Sequence, residues 1–163
     1  EIWQALPGQR STYVFTDVWY EALTTVPVGQ FDDNYWQQVL QVRDEVNKVL
    51  EAARREDKIG ASLQAEVTLY ASAELATALC RLGDELRFAL ITSTAEVSTN
   101  EAPADAVATE LAGLKELVNA SAAAKCERCW HHRHDVGADA AHPGICLRCV
   151  SNVAGSGEQR KFA

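Results

Sequence analysis

Four cysteines near the carboxy-terminal end of the chain constrain its fold more than any other feature. They form two Cys-x2-Cys pairs, Cys126 with Cys129 and Cys146 with Cys149, separated by 16 residues. A Cys-x2-Cys turn, called a knuckle, directs two thiolates to one point, and two facing knuckles supply the tetrahedral sulfur ligands that Zn²⁺ prefers. Because four sulfurs leave no open position for water, the spacing predicts a structural zinc ion and not a catalytic one.

Other uses of these cysteines fit the sequence less well. Two disulfides need an oxidising compartment, and the fifth cysteine, Cys80, would have no partner. A c-type haem needs His directly after the second cysteine of a pair, where this chain has Trp130. Four soft thiolate ligands argue against Mg²⁺ and Ca²⁺. An iron–sulfur cluster or a redox-active dithiol stays open as an alternative, but the paired spacing favours zinc.

The rest of the sequence has an ordinary globular composition without a membrane segment. The chain has 163 residues, enough for one ordinary domain or for two to three small units that share cores. No apolar run approaches the roughly 18 residues that cross a bilayer, and no segment resembles a signal peptide. Together with the thiols, this predicts a cytoplasmic protein. Because the chain has no Met and begins at Glu1, we expect a fragment of a longer protein.

Charge is distributed unevenly along the chain. The formal net charge is −8, but residues 125–163 carry 6 basic and 4 acidic side chains, whereas residues 1–124 carry 9 basic and 19 acidic ones. The carboxy-terminal part is therefore the least anionic region, although it is not a strongly basic patch. We expect any affinity for nucleic-acid phosphates to be modest, or to be shared with a part of the protein outside this chain.

Helical periodicity is clearest over residues 32–58. Asp32 and Asp33 provide an N-cap and negative charge at the start of this helix, and Gly60 suits the position after its end. Its apolar face is predicted from residues at helical spacing, namely Trp36, Val39, Leu40, Val46, Val49, Leu50 and Ala53. Before this helix, the aromatic-rich residues 1–31 predict an extended segment that lies across a helix and buries its aromatic side chains.

A strand–helix–strand pattern follows the long helix. Alternating apolar residues predict a strand at 65–71, and Ser72 caps a second helix. Residues 86–91 are interpreted as a second strand, with a continuation to Val97 left open. Cys80, inside the second helix, is expected to be a small buried residue. A weaker strand is predicted at 114–122, although the alanines and leucines of this segment suit a helix equally. These elements together predict a small α/β unit.

Cationic and aromatic side chains on and after the knuckles are candidates for nucleic-acid binding. A flat ring and a planar cation on a rigid turn, as at Trp130 and Arg128, can stack an unpaired base and grip a phosphate. Trp130 could equally pack against the small core of its own module. The candidate RNA-binding residues are Arg128, Trp130, His131, Arg133, Arg148, Arg160 and Lys161.

No catalytic constellation is found in the sequence. No Gly-rich phosphate loop precedes a helix, and no Ser/His/Asp or Cys/His set has sequence support. The cluster of His131, His132 and His134 is expected to lie on the surface or to support the metal site. After the second knuckle, the Gly-Ser-Gly residues 155–157 predict a flexible joint before a basic, aromatic-tipped end.

Several sequence motifs resemble those of a known enzyme family. Lys-Cys-x-Arg-Cys-Trp from Lys125 and Ile-Cys-x-Arg-Cys-Val from Ile145, with the ending VSNVAGSGEQRKFA, look like the carboxy-terminal end of bacterial isoleucyl-tRNA synthetases. The helical run from Arg43 to Arg54 and the phrase Ile-Gly-x-Ser-Leu-x-Ala from Ile59 are similar to the anticodon-binding helices of that family and of its valine and leucine relatives. The resemblance covers essentially the whole chain.

The resemblance implies an α+β architecture of three parts. Residues 1–64 would be the carboxy-terminal part of a helical anticodon-binding domain, and residues 65–122 a small α/β junction domain. Residues 123–163 would be a four-cysteine zinc finger with a basic tail, related to that of the formamidopyrimidine-DNA glycosylases. The resemblance also implies that the four paired cysteines bind the zinc ion and that Arg128 and Trp130 meet the anticodon stem and loop.

The resemblance further implies the role of the whole enzyme. The family consists of ATP-dependent isoleucine–tRNA ligases, aminoacyl-tRNA synthetases of protein biosynthesis that use ATP and Mg²⁺ in a catalytic domain outside this chain. The chain is then expected to bind the anticodon end of the isoleucine isoacceptor tRNA and the rest of the synthetase, as a cytoplasmic monomer that contacts no membrane. Two other interpretations stay open: a structural zinc module that docks to proteins, and a zinc finger of the DNA-repair glycosylase type.

Overall fold

The computed structural model describes residues 2–19, 21–22, 29 and 31–162. They fall into two units, Glu1–Gln30 and Phe31–Ala163. Among the described helices, none is long and apolar enough to cross a membrane. The functional division into residues 1–64, 65–122 and 123–163 stays a prediction.

The first unit is built from short local elements. Helix α1 (Ile2–Ala5) and a 3-10 turn at Val14–Thr16 occur where an extended segment was expected. Within this unit, the side chains of Phe15 and Trp19 are almost fully exposed, and the predicted packing of the segment across a helix stays a prediction. Aromatic composition indicates a tendency towards burial but does not specify a partner surface. The part of the predicted segment at residues 20, 23–28 and 30 lies outside the described residues.

The second unit begins with the predicted long helix, α2 (Asp33–Arg55). Asp32 caps this helix, because its carboxylate oxygen accepts a hydrogen bond from the backbone N–H of Tyr35 at 2.8 Å. The helix ends before the expected glycine at position 60. Asp57 adopts the left-handed conformation with φ of 56°, which turns the chain out of the helix.

The buried face of α2 differs from the predicted one. The side chains buried along it are Tyr35, Val39, Val42, Glu45, Val46, Leu50 and Ala53. Leu40, which was predicted to lie on this face, is half exposed. Val42 was missed, although it lies three residues after Val39 and four before Val46, which is the spacing of neighbours on one helix face.

A four-stranded mixed sheet packs with α2 to form the main core. Its strands are β1 (Ala65–Ala71), β2 (Thr94–Ser98), β3 (Val107–Ala108) and β4 (Leu114–Ala120), in the order β2-β1-β4-β3. Strand β1 pairs in parallel with β2 and antiparallel with β4. The predicted strands near 65–71 and 114–122 are therefore confirmed, and so is the α+β fold class.

The connection between β1 and β2 contains two helices instead of one. Helix α3 (Ala73–Cys80) is capped by Ser72 as predicted, but Cys80 at its end is exposed, so its predicted burial is wrong. The second strand predicted at 86–91 is also wrong, because α4 (Leu86–Leu90) occupies that range. The physical reason is a stripe of fully buried leucines four residues apart, Leu82, Leu86 and Leu90, which is the spacing of one helix face.

Strand β4 places a glutamate in the core. Glu116, opposite Leu69 of β1, is completely buried, and neither carboxyl oxygen has a hydrogen-bond partner. Burial, and to a lesser degree the neighbouring carboxylate of Glu45, raises the pKa of Glu116 to about 8. The carboxyl group is therefore mostly protonated at neutral pH, which avoids a buried unpaired charge.

This buried carboxyl makes stability depend on pH. The unfolded chain releases the Glu116 proton near pH 4.5, whereas the folded chain holds it to about pH 8, so stability falls as pH rises between these values. We expect Glu116→Met to raise the free energy of unfolding at pH 8 by on the order of 2 kcal/mol and to reduce this pH dependence. Urea unfolding at pH 5 and pH 8 measures both effects. Glu96→Met, the same change at an exposed position of β2, is the control. An unchanged pH dependence in Glu116→Met would contradict the prediction.

Candidate metal centre and nucleic-acid surface

Two local structures bring the four paired cysteines together. In the first knuckle the backbone N–H of Trp130 donates to the carbonyl oxygen of Cys126 at 2.9 Å, and a short antiparallel bridge joins Lys125 to His132. In the second, Cys146 is the N-cap residue of helix α5 (Leu147–Ala154). Cys149 follows three residues later within the first turn of α5, so both sulfurs point to the same side.

The arrangement of the sulfurs suits a tetrahedral metal ion. The four Sγ atoms all lie within 4.8 Å of one another, and those of Cys129 and Cys146 are 3.7 Å apart. Four sulfurs at about 2.3 Å from a zinc ion would be separated by roughly 3.8 Å. All four cysteines are free of disulfides, and three of them are buried. The donor set therefore fits Zn²⁺ with no position left for a water molecule.

Hydrogen bonds to sulfur favour the thiolate form at Cys126, whereas burial raises the pKa of the Cys146 and Cys149 thiols. The backbone N–H of Cys146 donates to Cys126 Sγ at 3.4 Å. Burial opposes ionisation of Cys126, but backbone hydrogen bonds at Cys129, Cys146 and Arg128 outweigh it and lower the pKa of this thiol to about 6. Arg128 also donates from Nη1 to Cys149 Sγ at 3.6 Å. Part of the Arg128 side chain therefore supports the sulfur cluster.

The cysteine module, residues 123–154, is attached to the sheet through a buried serine. The Oγ of Ser93 donates to the carbonyl oxygen of Leu63. Its backbone N–H donates to the carbonyl oxygen of Ala65. The same Oγ accepts from the backbone N–H of His132 at 2.6 Å. The imidazole Nδ1 of His132 lies 2.8 Å from the carbonyl oxygen of Ala123. His132 therefore supports the junction between the module and β1.

The structure does not favour the predicted RNA contact at His131. Its side chain is buried, and its ring packs edge-on against Phe88 with centroids 5.8 Å apart. Nδ1 lies 3.1 Å from the carbonyl oxygen of Cys129. Burial, followed by the nearby Arg87 guanidinium, lowers the pKa of His131 to about 4. His131 is therefore a neutral packing residue whose ring is not available to contact RNA.

The other predicted residues lie on two surfaces. The knuckle tip consists of Lys125, Arg128 and Trp130. Trp130 is 60% exposed, so it does not pack into a core of its own module. Its backbone adopts the left-handed conformation with φ of 66°, and Lys125 Nζ lies 5.6 Å from the indole centroid. The knuckle tip therefore presents an aromatic face beside a cation.

The second surface, the Phe88 groove, has a volume of about 440 Å³. Arg133, Arg148, Arg160 and Lys161 line it together with Arg87 and Phe88 of α4. Sequence reasoning missed Arg87 and Phe88 because it assigned their segment to a strand. No sequence signal would have placed α4 beside the cysteine module, since more than 30 residues separate the two in the chain.

The carboxy-terminal tail is held against the core. The backbone N–H groups of Lys161 and Phe162 donate to the Glu85 carboxylate at 2.7 and 2.6 Å. The Phe162 ring packs against Phe31 with centroids 5.0 Å apart. The predicted flexible joint at residues 155–157 is therefore wrong, since the residues on both sides of it are held in place and the backbone N–H groups of Gly155 and Gly157 donate to the carbonyl oxygen of Ser151. The aromatic end is a packing residue, and it fixes the basic residues before it at the groove.

Comparison with known proteins agrees with the resemblance seen in the sequence. Residues 124–152 match the model of a zinc-finger family described as a zinc finger found in FPG and IleRS. The isoleucine–tRNA ligases of Shewanella pealeana and Shewanella amazonensis are each 58% identical to the chain over 165 aligned residues, and that of Shewanella sp. strain W3-18-1 is 56% identical.

These alignments cover all of this chain but only 18% of each ligase. The matched region includes α2, the sheet, the cysteine module and the tail. The resemblance is therefore confirmed well beyond the zinc finger. The chain matches, over its full length, the C-terminal region of bacterial isoleucine–tRNA ligases, and it carries a zinc finger of the type found in FPG and IleRS.

Proposed function

We propose that this chain is the tRNA-binding carboxy-terminal part of an isoleucine–tRNA ligase and that it binds the anticodon stem-loop of the isoleucine isoacceptor. The observation that carries the proposal is 58% identity to such a ligase over the entire chain. Aminoacylation would be carried out by the part of the enzyme outside this chain, with ATP and Mg²⁺. The other partner of the chain would be the rest of the same synthetase, in a cytoplasmic monomer.

In this proposal, Cys126, Cys129, Cys146 and Cys149 bind one structural Zn²⁺ ion. The ion supplies no chemistry to the reaction; it cross-links two knuckles that have little core of their own. Among the described apolar side chains other than the cysteines, only Val136 and Ile145 pack against the buried cysteine cluster. The rigid cluster then holds the knuckle tip in one conformation, so that little conformational entropy is lost on binding.

The knuckle tip has the chemistry to bind unpaired RNA. The exposed indole of Trp130 offers a face on which a base can stack, and Lys125 and Arg128 provide positive charge at the same turn. Anticodon loops expose unstacked bases of this kind, whereas a DNA duplex does not. The interpretation as a DNA-repair glycosylase finger is not favoured, because α2 and the sheet also match the ligases.

An exchange of the anticodon tests this function. We expect the zinc-loaded chain to bind an isoleucine tRNA at low salt and to bind the same tRNA with an exchanged anticodon base about 2- to 12-fold more weakly. Stacking tolerates any base, but the exchange removes a hydrogen bond to the base edge, which contributes about 0.5–1.5 kcal/mol. Filter binding at fixed ionic strength measures the difference. Equal affinity for the two tRNAs would contradict anticodon recognition and show that binding does not read the anticodon bases.

A further inference from the structure

We propose that the Phe88 groove binds a backbone phosphate of RNA, with Arg133 as its principal ligand and Glu158 as a competing internal anion. The inference rests on the proposed RNA function and deepens it. It adds to the knuckle tip a second contact that is independent of base stacking. Such a contact would position the tRNA without reading its sequence.

The groove is a local concentration of positive charge in an acidic chain. Five basic and three acidic side chains line it, whereas the chain as a whole has a net charge of −8. The basic residues are Arg87, Arg133, Arg148, Arg160 and Lys161. Burial lowers the pKa of Arg87, and repulsion by Arg133 and Arg148 adds to this, although the ion pair with Asp84 opposes both. An anion entering the groove would relieve this repulsion.

Arg133 is the guanidinium in this groove that the fold leaves available. Arg87 pairs with Asp84 at 3.0 Å, and Arg148 and Arg160 pair with Glu158 at 3.1 and 3.3 Å. Among the described residues, none accepts a hydrogen bond from the side chain of Arg133. Its backbone N–H donates to the carbonyl oxygen of Ala124 at 2.9 Å, which fixes the position of the residue. In the part of the chain that the structure describes, no acceptor therefore uses the side-chain donors of Arg133.

Phe88 organises the groove for an anion and not for a base. The guanidinium carbons of Arg87 and Arg160 each lie 4.0 Å from the centroid of its ring, and that of Arg148 lies at 5.1 Å. Cation–π contacts of this kind hold the guanidinium planes in place. Because cations already surround the ring, it offers no face for stacking. The groove therefore presents donors, which is what a phosphate requires.

Glu158 shows how an oxyanion is held in this groove. Both of its carboxylate oxygens lie 3.1 Å from Arg148 Nη1, and one lies 3.3 Å from Arg160 Nε. A phosphate group can use the same donors, since its oxygens accept hydrogen bonds from guanidinium groups in the same way. Glu158 is on the docked tail, so its negative charge opposes the entry of a second anion. Removing that charge should strengthen phosphate binding, and removing Arg133 should weaken it.

The test measures binding of isoleucine tRNA to the zinc-loaded chain as a function of salt. We expect Arg133→Gln to lower affinity about 3- to 10-fold and to reduce the slope of log K against log salt by about 1. Glu158→Gln should change both quantities in the opposite direction. Lys115→Gln, which removes one exposed positive charge outside the groove, is the matched control. Measurements of zinc content and circular dichroism test whether each variant is folded.

The outcomes separate this inference from the proposed function. If Trp130→Ala weakens binding while Arg133→Gln and Glu158→Gln bind like the unaltered chain, the groove does not contact RNA and the inference alone fails. If Lys115→Gln lowers the slope as much as Arg133→Gln does, the effect is one of general charge, and the inference also fails. If the unaltered zinc-loaded chain does not bind tRNA at low salt, both proposals fail.

Discussion

Replacing Cys146 with alanine will unfold the cysteine module and abolish stoichiometric zinc binding. Zinc supplies about 10–16 kcal/mol of folding free energy in small zinc-finger peptides. This module has little else to stabilise it, because its core consists of the cysteines with Val136 and Ile145. The core of α2 and the sheet is a separate cluster, so we expect it to remain folded. A two-dimensional ¹⁵N–¹H NMR spectrum and elemental analysis of zinc measure the two effects.

Cys80→Ala is the matched control for this substitution. Cys80 is exposed at the end of α3, so the same change there should leave the zinc content and the spectrum unaltered. We expect the Cys146→Ala spectrum to lose the dispersed signals of residues 125–154 while most signals of the sheet stay in place. A Cys146→Ala protein with a dispersed module and no bound metal would show that the fold does not depend on zinc.

Replacing Trp130 with alanine will weaken tRNA binding by about 1–3 kcal/mol, which is roughly 5- to 150-fold, without loss of zinc. The reason is that its exposed indole is the stacking face of the knuckle tip. Trp130→Phe should retain most of the affinity, because an aromatic face remains. Fluorescence titration with isoleucine tRNA, at one salt concentration, measures the affinities of the unaltered chain, Trp130→Ala and Trp130→Phe.

Trp19→Ala is the matched control, since Trp19 is also exposed but lies far from the knuckles in the chain. We expect its affinity for tRNA to equal that of the unaltered chain. Unchanged affinity in Trp130→Ala would remove the knuckle tip from the RNA interface. A purely structural module that docks to protein would then be the better interpretation.

Features set by neighbouring residues were predictable from the sequence. Each Cys-x2-Cys turn is local, so the two cysteines of a pair are neighbours from the start, and the fold has only to bring the two turns together. Asp32 and Ser72 cap their helices as predicted, since capping involves residues within one turn. Strand β1 also shows its alternation directly in the sequence, as every second side chain is buried.

Features set by distant contacts were not predictable in the same way. The apolar run 86–91 suits a strand or a helix, and only the core position of Leu86 and Leu90 decides between them. In a sequence, a glutamate such as Glu116 predicts a surface position, and only the folded structure shows that this one is buried. The Phe88 groove joins α4, the cysteine module and the tail, and nothing in the separate segments specifies that meeting.

The zinc dependence of tRNA binding tests the central claim of this account most directly, namely that a sulfur-bound metal holds the knuckle tip in an RNA-binding conformation. The measurement is the affinity of the chain for isoleucine tRNA with zinc bound, after chelation, and after zinc is returned. We predict salt-sensitive binding that weakens at least about 10-fold on chelation and recovers with zinc. Equal affinity with and without zinc would contradict the account.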